Sequence, residues 1–440
     1  MKKTLSILCL LLSTSLFAQV EEARKYIQDL TAPNMFGRGY VNNGIQKAYD
    51  YIQDVLDFQF GLMQFWGDSG QLIEYSVNTF PDKLSLKIDG AELNYGEDFI
   101  IDGASCGGTK SLKCIQFSKS DLQDVCSGSS VSKLKEKYKT KYQNTCLIFD
   151  ETDTALSQKE INIINDWITY DLVHSTMYPI GAIIKITNQK LTQNISGNCG
   201  IVPYFIVSDK NLKSKTPKSI SFDVTQKIEK VTSGNFGADI EHPNANEGPD
   251  YPKTLFFTAH YDHLGQFGQT VYQGANDNAS GIAMLLTLAK YFKEHHENLK
   301  VNLCFVAFTG EELGLLGSRA FVNDNEWYDI EPTDFVINLD MVGTGDEGIC
   351  VVNGKVYEKE MDLLNKINEE NHYFSNIQLR GEACNSDHCS FDKAHIPCFY
   401  IYTKGGTQAY HDIHDTADQL PLTKFNELFN LLVKFAEEYQ

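Results

Sequence analysis

The chain of 440 residues is short of basic side chains, with 38 Lys and Arg against 58 Asp and Glu and a formal net charge of −20 at pH 7. So acidic a surface repels phosphate groups, which argues against nucleic acid and anionic membranes as partners. Beyond the N-terminus, no apolar run reaches the length of about 18 residues that a membrane-spanning helix needs. No internal repeat with a period of about 20–50 residues is present, which excludes solenoids and propellers. The 42% of hydrophobic residues is ordinary for a folded chain, and the length predicts two to three domains.

The N-terminus has the three parts of a secretory signal peptide. Lys2 and Lys3 form a basic start, an apolar run follows from Leu5 to Phe17, and Ala18 is a small residue at the position of cleavage. We therefore predict that residues 1–18 are removed. The mature protein is then exported to the periplasm or the extracellular space, without membrane insertion.

Ten of the eleven cysteines remain when Cys9 of the apolar run is set aside. An even number in an oxidising compartment permits disulfides, whereas the spacings match no four-cysteine zinc site. Cys384 and Cys389 are close enough in sequence to form a short loop clip, although spacing alone leaves open that both are free. Cys304 lies in an apolar run and is predicted to be a buried thiol.

The texture of the sequence changes along the chain, which predicts two domains. Leu84–Ile88, followed by Asp89-Gly90, has the pattern of a β-hairpin. Residues 86–217 contain short apolar runs and no constellation that suggests chemistry, so they predict a smaller, β-rich accessory domain. Residues 19–85 and 218–440 are assigned to a catalytic domain.

From residue 218 onwards, apolar runs of strand length alternate with helical stretches, which is typical of an α/β fold with a mostly parallel sheet. Continuous apolar strands are expected where helices cover both faces of a sheet. The predicted strands are Thr254–Thr258, Val301–Phe308, Asp334–Leu339 and Ile396–Tyr402. The predicted helices are Ala279–Tyr291, Lys359–Asn371 and Thr423–Glu438.

Such sheets bind ligands beyond the carboxyl ends of their strands, and five segments bring acidic and imidazole side chains to this edge. The residues are His260, Asp262 and His263, then Asp277, the pair Glu311 and Glu312, Asp340, and the segment Tyr410–Asp415 with His411 and His414. One ligand from each of the five segments gives two imidazoles and three carboxylates, which exceeds the three protein ligands of one catalytic zinc ion. They fit two ions that share one carboxylate. One of the paired glutamates could then be a ligand while the other accepts a proton from water, and Asp262 could hold the second ring N–H of His260.

Each of these residues also has a simpler explanation when it is taken alone. Asp277 could be a helix N-cap, and Asp340 could be a turn residue. Glu311 and Glu312 could be an acidic pair at the start of a helix. The argument for a metal centre is that all five segments reach one edge of the sheet, which those explanations do not require.

Five motifs, in order, resemble the co-catalytic zinc aminopeptidase family, which includes secreted bacterial leucyl aminopeptidases, glutamate carboxypeptidase and glutaminyl cyclases. The motifs are TAHYDHLG (258–265), GANDNASG (274–281), FTGEELGLLGS (308–318), NLDMVG (338–343) and YHDIHDT (410–416). The resemblance implies a three-layer sandwich in which a mixed, mainly parallel eight-stranded sheet lies between helices. CNSDHCSF (384–391) is similar to a pocket loop that carries a disulfide in some secreted members. YPIGAII (178–184) is similar to the central strand of a protease-associated insert.

The resemblance implies two Zn²⁺ ions per chain. One ion would be held by His260 and Asp340 and the other by Glu312 and His411, with Asp277 bridging them. His414 competes with His411 for the ligand position.

The resemblance also implies the roles of the residues around these ligands. Glu311 would be the general base, and Asp262 and Asp415 would support the ligands, with Asp262 orienting His260. A cis peptide bond is implied after Asp277, and His263 and His388 are expected to be polar pocket residues.

These expectations predict an exported, zinc-dependent exopeptidase that hydrolyses N-terminal residues from peptides, through a two-metal-activated water with Glu311 as the base. A glutaminyl cyclase, which carries out acyl transfer on the same fold, is an alternative. A carboxypeptidase is another, and Arg319 and Arg380 are the candidate cations for its substrate carboxylate. A binding protein without catalysis is disfavoured by the complete ligand set. The sequence leaves the oligomeric state open.

Overall fold

The computed structural model describes residues 19–62, 64–67, 70–128, 142, 144–153, 155–174, 180–214, 216–243, 253–297, 299–324 and 330–440. The predicted signal peptide, residues 1–18, lies outside the described residues, as do the first two residues of the segment 178–184. No described helix combines the length and the apolar character that crossing a membrane requires.

The described residues form eighteen strands and nine α-helices. The strands are β1 (Gln71–Thr79), β2 (Leu84–Ile88), β3 (Ala91–Leu93), β4 (Phe99–Ile101), β5 (Gly108–Gln116), β6 (Cys146–Asp150), β7 (Ala182–Thr187), β8 (Tyr204–Ser208), β9 (Ser219–Val224), β10 (Lys227–Ile240), β11 (Thr254–His260), β12 (Gly265–Phe267), β13 (Thr270–Tyr272), β14 (Asn302–Phe308), β15 (Phe335–Leu339), β16 (Gly348–Val352), β17 (Ile377–Leu379) and β18 (Cys398–Lys404). The α-helices are α1 (19–30), α2 (Gly44–Gln53), α3 (Lys119–Cys126), α4 (Gln158–Asp166), α5 (Ser280–Glu294), α6 (Leu316–Asn323), α7 (Glu358–Asn371), α8 (His388–Lys393) and α9 (Phe425–Glu438). Shorter helical turns are Pro33–Arg38, Val41–Asn43, Asp54–Gln59, Trp167–Leu172, Asp209–Asn211, Ala275–Ala279 and Ala417–Gln419.

The first sheet contains eight strands in the order β1-β10-β14-β11-β15-β18-β16-β17. β14, β11, β15 and β18 run parallel to one another, as do β16 and β17, whereas the other neighbouring pairs are antiparallel. The prediction of a mixed, mainly parallel eight-stranded sheet is confirmed. The four predicted strands are present with ends displaced by at most two residues, and the three predicted helices by at most three.

Helices cover both faces of the first sheet, which confirms the three-layer sandwich. Along β11, Leu255 and Phe257 belong to the core that includes α1, α2, α5, α7 and α9, whereas Phe256 belongs to the core with α6 and α8. Successive residues of a strand point to opposite faces, so burial on both faces explains the uninterrupted apolar run. Cys304 of β14 is fully buried as a free thiol, as predicted.

The second sheet contains eight strands in the order β3-β2-β9-β5-β6-β7-β8-β4. Its hairpin between β2 and β3 turns at Asp89 and Gly90, whose φ angles are 49° and 83°, as the Asp-Gly signal predicts. The predicted limits of the accessory domain, residues 86 and 217, lie within the stretch from β2 to β9, which supplies all the strands of this sheet. Leu84 of β2 pairs with Val224 of β9, so the two ends of the inserted segment meet in one strand ladder.

The second sheet packs against two parts of the chain that follow β11. Phe267 and Tyr272 of the small β12–β13 hairpin belong to its core. Ile413, which lies in the loop after β18, packs against the same core. The loop that contains His411 therefore packs against the core of the second sheet.

Candidate metal centre

The structure brings the sequence-predicted residues together at the carboxyl edge of the first sheet. The parallel strands β14, β11, β15 and β18 end at this edge, where side chains can converge. His260 is the last residue of β11, Glu311 and Glu312 follow β14, Asp340 follows β15, Asp277 lies in the turn Ala275–Ala279 before α5, and His411 lies in the loop after β18.

Among the described residues, two groups of side chains are arranged so that each could hold a metal ion. Their possible ligand atoms lie within 4.8 Å of one another, in the groups His260, Asp277 and Asp340, and His263, Asp277, Glu312 and His411. Asp277 belongs to both groups, because its Oδ1 lies 3.4 Å from Nε2 of His260 and its Oδ2 lies 3.1 Å from Nε2 of His411. His414, the competing imidazole, belongs to neither group and is exposed.

The distances between ligand atoms around His260 fit zinc. Tetrahedral ligands bound at about 2.0–2.2 Å lie about 3.3–3.6 Å apart. Nε2 of His260 is in this range, at 3.6 Å from Oδ1 of Asp340 and 3.4 Å from Oδ1 of Asp277, whereas Nε2 of His411 is at the shorter distance of 3.0 Å from Oε2 of Glu312. Oδ1 of Asp340 is buried and has no hydrogen-bond partner among the described residues, and a buried unpaired acceptor beside a second ligand is satisfied by a cation. The donor set therefore fits the metal that the sequence implies.

The two imidazoles are held in the same orientation by main-chain oxygens. Nδ1 of His260 lies 3.1 Å from the carbonyl oxygen of Asp262, and Nδ1 of His411 lies 3.0 Å from that of Gln193. A carbonyl oxygen can only accept a hydrogen bond, so each Nδ1 carries the hydrogen. Each Nε2 therefore faces the carboxylates and is the nitrogen available to a metal.

Asp262 acts differently from the sequence prediction, which has its carboxylate orient His260. The nearest carboxylate oxygen is 3.8 Å from Nδ1 of His260, so the closer contact is made by the main-chain carbonyl. The carboxylate instead accepts the main-chain N–H groups of Glu311 and Glu312, at 3.1 and 3.3 Å. It also accepts the hydroxyl of Tyr40 at 3.1 Å. Asp262 thus fixes the main chain of the two glutamates, because a buried carboxylate needs hydrogen-bond donors and these N–H groups supply them.

Asp277 is held by contacts from outside its own turn. The carboxylate of Asp415 accepts the main-chain N–H groups of Asn276 and Asp277, at 2.8 and 3.0 Å. The peptide bond between Asp277 and Asn278 is cis, as the resemblance implies. The side-chain oxygen of Asn278 accepts the main-chain N–H of Gly281 at 2.9 Å. These bonds fix the direction of the shared carboxylate.

Arg38 is a fully buried cation beneath the same turn. It donates to the main-chain oxygens of Tyr261, Gln273 and Gly274 at 2.7–2.9 Å, and to that of Asp277 at 3.2 Å. Burial lowers its pKa to about 10, although the nearby carboxylates of Asp277 and Asp415 act in the opposite direction. Arg38 therefore remains charged at neutral pH and ties the segments after β11 and before α5 to each other.

The carboxylates and imidazoles shift one another's titration. Burial opposes a charge on His411, but Glu312 and Asp277 raise its pKa to about 11. Burial likewise opposes a charge on Glu312, but His411 and His263 lower its pKa to about 2. His260 has its pKa raised well above the usual range because Glu311 and Asp340 outweigh its burial. In the metal-free protein the cluster thus holds protons on its imidazoles.

Glu311 borders a cavity of about 330 Å³ that opens beside the two groups. The cavity is lined by Asp277, Glu311, Asp340, Met341, Asn385, Tyr400, Tyr410 and His411. Oε2 of Glu311 is 4.0 Å from Nε2 of His260, and the side chain is 15% exposed, so the carboxylate stands between the ligands and the open space. Burial raises the pKa of Glu311 well above its usual range, and the charges of Glu312, Asp387 and Asp340 add to the effect.

The remaining histidines and arginines singled out by sequence have other contacts. Nδ1 of His263 lies 2.8 Å from Oε1 of Glu312, which is a hydrogen-bond distance, so His263 positions that glutamate. His388 contacts the main-chain oxygen of Ala383 at 2.7 Å. Arg319 contacts main-chain oxygens of its own segment, Arg380 contacts the hydroxyl of Tyr402, and neither lines the cavity.

A disulfide joins Cys384 and Cys389, which confirms the predicted loop clip. The loop that it closes contains Ser386, whose hydroxyl donates to Oδ2 of Asp340 at 2.7 Å. Nδ2 of Asn338, two residues before Asp340, donates to the Ser386 oxygen at 2.8 Å. The loop closed by the disulfide therefore contacts the ligand group of His260, Asp277 and Asp340.

Sequence reasoning missed Arg38, Gln193 and Ser386, all of which hold ligands or their turns. Arg38 donates to the main-chain oxygen of Gly274, and the main-chain oxygen of Gln193 contacts the imidazole of His411; both partners are more than 200 residues away in sequence, so no local pattern identifies Arg38 or Gln193. The sequence does contain a signal for Ser386, since this residue lies inside the pocket-loop motif CNSDHCSF (384–391).

The chain shares its family signature and its fold with known peptidases. Residues 240–436 match the model of Peptidase family M28. Aminopeptidase YwaD of Bacillus subtilis is 29% identical over 268 residues, which cover 57% of this chain and 55% of that protein. Glutaminyl-peptide cyclotransferase of Dictyostelium discoideum is 26% identical over 46% of this chain and 64% of that protein. The aligned regions thus span between about half and two thirds of the lengths of these curated relatives.

Among solved structures, BSAP, a zinc aminopeptidase from Bacillus subtilis, superposes with a TM-score of 0.64 at 18% identity. The match covers 95% of this chain and 94% of that one, so the likeness of fold extends over both sheets. The sequence match carries the motifs that supply His260, Asp277, Glu312, Asp340 and His411. Residues 240–436 of the chain are therefore similar in sequence to Peptidase family M28.

Proposed function

We propose that the protein is an exported zinc-dependent aminopeptidase that binds two Zn²⁺ ions and removes N-terminal residues from peptides. The observation that carries the proposal is the position of Asp277, whose two carboxylate oxygens face the imidazoles of His260 and His411 in opposite ligand groups. A single carboxylate shared by two ligand groups is the arrangement of a two-metal hydrolytic site.

In this proposal each ligand group has a defined membership. His260 and Asp340 hold one ion, Glu312 and His411 hold the other, and Asp277 bridges the two. The metal pair, when bound, would supply Lewis-acid polarisation of the scissile carbonyl and acidification of the attacking water.

Glu311 is the proposed general base. It lines the cavity together with Asp277, and its Oε2 lies 4.0 Å from Nε2 of His260. Glu311 takes a proton from the water that attacks the carbonyl carbon, and then gives it to the nitrogen of the leaving amine. Asp262 keeps the glutamate in place through the main-chain N–H of Glu311.

The lining of the cavity favours an amine terminus of the substrate over a carboxyl terminus. Asp277, Glu311 and Asp340 contribute acidic groups, and no Lys or Arg is among the lining residues. A carboxypeptidase needs a cation to bind the substrate carboxylate, and Arg319 and Arg380 do not reach the cavity. A glutaminyl cyclase on this fold is the alternative that the similarity to the Dictyostelium cyclotransferase supports.

The second sheet is proposed to be a protease-associated-like accessory insert. Export is proposed from the predicted signal peptide of residues 1–18, and the disulfide between Cys384 and Cys389 is consistent with an oxidising compartment.

The test compares the mature chain with a Glu311→Gln variant on free-amine peptides, N-acetylated peptides and peptides that begin with glutamine. We expect the wild-type protein to release the first residue from free-amine peptides only, and to lose this activity in chelator. Glu311→Gln should keep its zinc and lose at least about 100-fold in kcat, the contribution of a general base. Cleavage of N-acetylated peptides, or formation of pyroglutamyl peptide without hydrolysis, would contradict the proposal.

A further inference from the structure

The loop that contains His411 is hydrogen-bonded to a segment around Gln193. This segment belongs to the domain formed by the second sheet, called here the second sheet domain. The main-chain N–H of Gln193 donates to the carbonyl oxygen of His411 at 2.8 Å, and Nδ1 of His411 donates to the carbonyl oxygen of Gln193 at 3.0 Å. Lys190, three residues earlier, reaches Oδ2 of Asp412 at 2.6 Å and the carbonyl oxygen of Gln408 at 2.8 Å. The two segments are therefore joined on both sides of the imidazole.

His411 needs such support because of its backbone conformation. Its φ angle is 51°, in the left-handed region that residues other than glycine seldom adopt. A conformation of this kind persists only where the surroundings fix it. The reciprocal pair of hydrogen bonds with Gln193 fixes the backbone and the ring of His411 at the same time.

Gln193 is itself anchored in the second sheet domain. Its side chain is fully buried, and Nε2 donates to the carbonyl oxygens of Ile101 and Asn194 at 2.8 and 2.7 Å. Its Oε1 accepts the hydroxyl of Tyr95 at 2.7 Å. Ile101 is the last residue of β4, so the carbonyl that holds His411 is tied to an edge strand of the second sheet.

We infer that Gln193 is a positioning residue of the metal centre, through which the second sheet domain holds the imidazole of His411. The inference rests on the proposed metal centre and goes beyond it, because it makes the second domain part of the site rather than an appendage. Partners that orient a ligating histidine contribute about 10–100-fold to metal affinity. We expect this contribution at the ion held by Glu312 and His411, and not at the ion held by His260 and Asp340.

The test uses Gln193→Leu, which removes the anchoring hydrogen bonds without adding a charge that would itself attract zinc. The matched control is Gln189→Leu, four residues earlier on an exposed part of the same segment. Tyr95→Phe is a milder second variant, because it removes one anchoring bond and leaves the buried amide in place. Two readouts are needed: the two zinc dissociation constants from chelator competition, and the exchange rate of the His411 Nδ1–H in ¹⁵N-histidine NMR of the metal-free protein.

We expect Gln193→Leu to weaken one zinc site by about 10–100-fold, Tyr95→Phe to weaken the same site less, and Gln189→Leu to change neither. The Nδ1–H of His411 should exchange faster in the first two variants. Unchanged zinc constants in both variants, or equal losses at both sites, would overturn the inference. If Gln193→Leu fails to fold, Tyr95→Phe decides alone. A wild-type chain that binds no zinc refutes the proposed function, whereas the NMR readout still tests whether Gln193 positions the imidazole.

Discussion

Oδ2 of Asp277 lies 3.1 Å from Nε2 of His411, while the other oxygen of this carboxylate turns towards the opposite ligand group. One side chain therefore serves two groups, and its replacement has a different consequence from the replacement of any other ligand. Hydrogen bonds from His260 and His411 outweigh burial and hold the pKa of Asp277 well below its usual range, so it is charged at neutral pH.

We predict that Asp277→Asn loses affinity for both zinc ions, because an amide offers one acceptor oxygen and no charge. Asp340→Asn and Glu312→Gln should each weaken mainly one ion. Zinc content after dialysis against graded chelator measures the difference. Loss of a single ion in Asp277→Asn, with the second bound as in the wild-type protein, would show that Asp277 does not bridge.

Zinc binding should release protons. The pKa of His411 is raised to about 11 and that of His260 well above its ordinary value, because neighbouring carboxylates outweigh the effect of burial. Both imidazoles are therefore protonated in the metal-free protein at neutral pH, whereas a metal needs the neutral Nε2.

We expect about two protons to leave per chain at pH 7, and zinc affinity to rise as the pH rises. Isothermal titration calorimetry in buffers of different ionisation enthalpy gives the number of protons. His411→Ala should reduce the number by about one. Zinc uptake with no proton release in the wild-type protein would contradict the protonation state described above.

Arg38 should be essential for stability. Arg38→Met leaves several buried carbonyl oxygens without their donor, and unsatisfied groups of this kind cost about 1–3 kcal/mol each. We expect the free energy of unfolding to fall by about 3 kcal/mol or more.

Arg38→Lys should recover only part of this loss, because an ammonium group cannot reproduce the fork of a guanidinium group. Arg24, which donates to main-chain oxygens at the surface, provides the control Arg24→Met. Urea denaturation of the metal-free chains measures all three. Equal, small effects of Arg38→Met and Arg24→Met would show that Arg38 does not hold the buried segments together.

Ser386 should support the ion held by His260 and Asp340. Ser386→Ala removes the hydroxyl that donates to Oδ2 of Asp340, so this carboxylate loses the contact that fixes its direction. We expect about a tenfold loss of affinity at that ion and no change at the other.

The control for this variant is Ser390→Ala, since Ser390 is also buried and its hydroxyl bonds to Ser318 instead. Chelator competition again separates the two ions. An equal response of the two alanine variants would assign Ser386 to packing alone.

The sequence predicts the first sheet well because its central strands are buried on both faces. Phe256 and Phe257 are both fully buried, on opposite sides of β11. A strand of this kind has a continuous apolar run in its sequence, and the ends of the run indicate the ends of the strand. The limits of the second sheet are harder to predict. The pairing of Leu84 with Val224 joins residues that are distant in sequence, and the changes of sequence texture near residues 86 and 218 do not fix this pairing.

The candidate ligands are predictable for a similar reason, since each lies in a recognisable motif, either at or after the end of a strand or, for Asp277, directly before a helix. What surrounds them is not. Gln193 and Asp262 orient the imidazoles through main-chain oxygens, which every residue type possesses. Only the tertiary structure shows that these carbonyl groups face Nδ1 of His411 and His260.

The most direct test of the account is a crystal structure of the zinc-loaded protein with anomalous data collected at the zinc edge. We predict two peaks about 3.5–4 Å apart, one between His260 and Asp340 and the other between Glu312 and His411, with Asp277 touching both. A single peak, or two peaks without Asp277 between them, would contradict the two-metal centre on which the proposed hydrolysis depends.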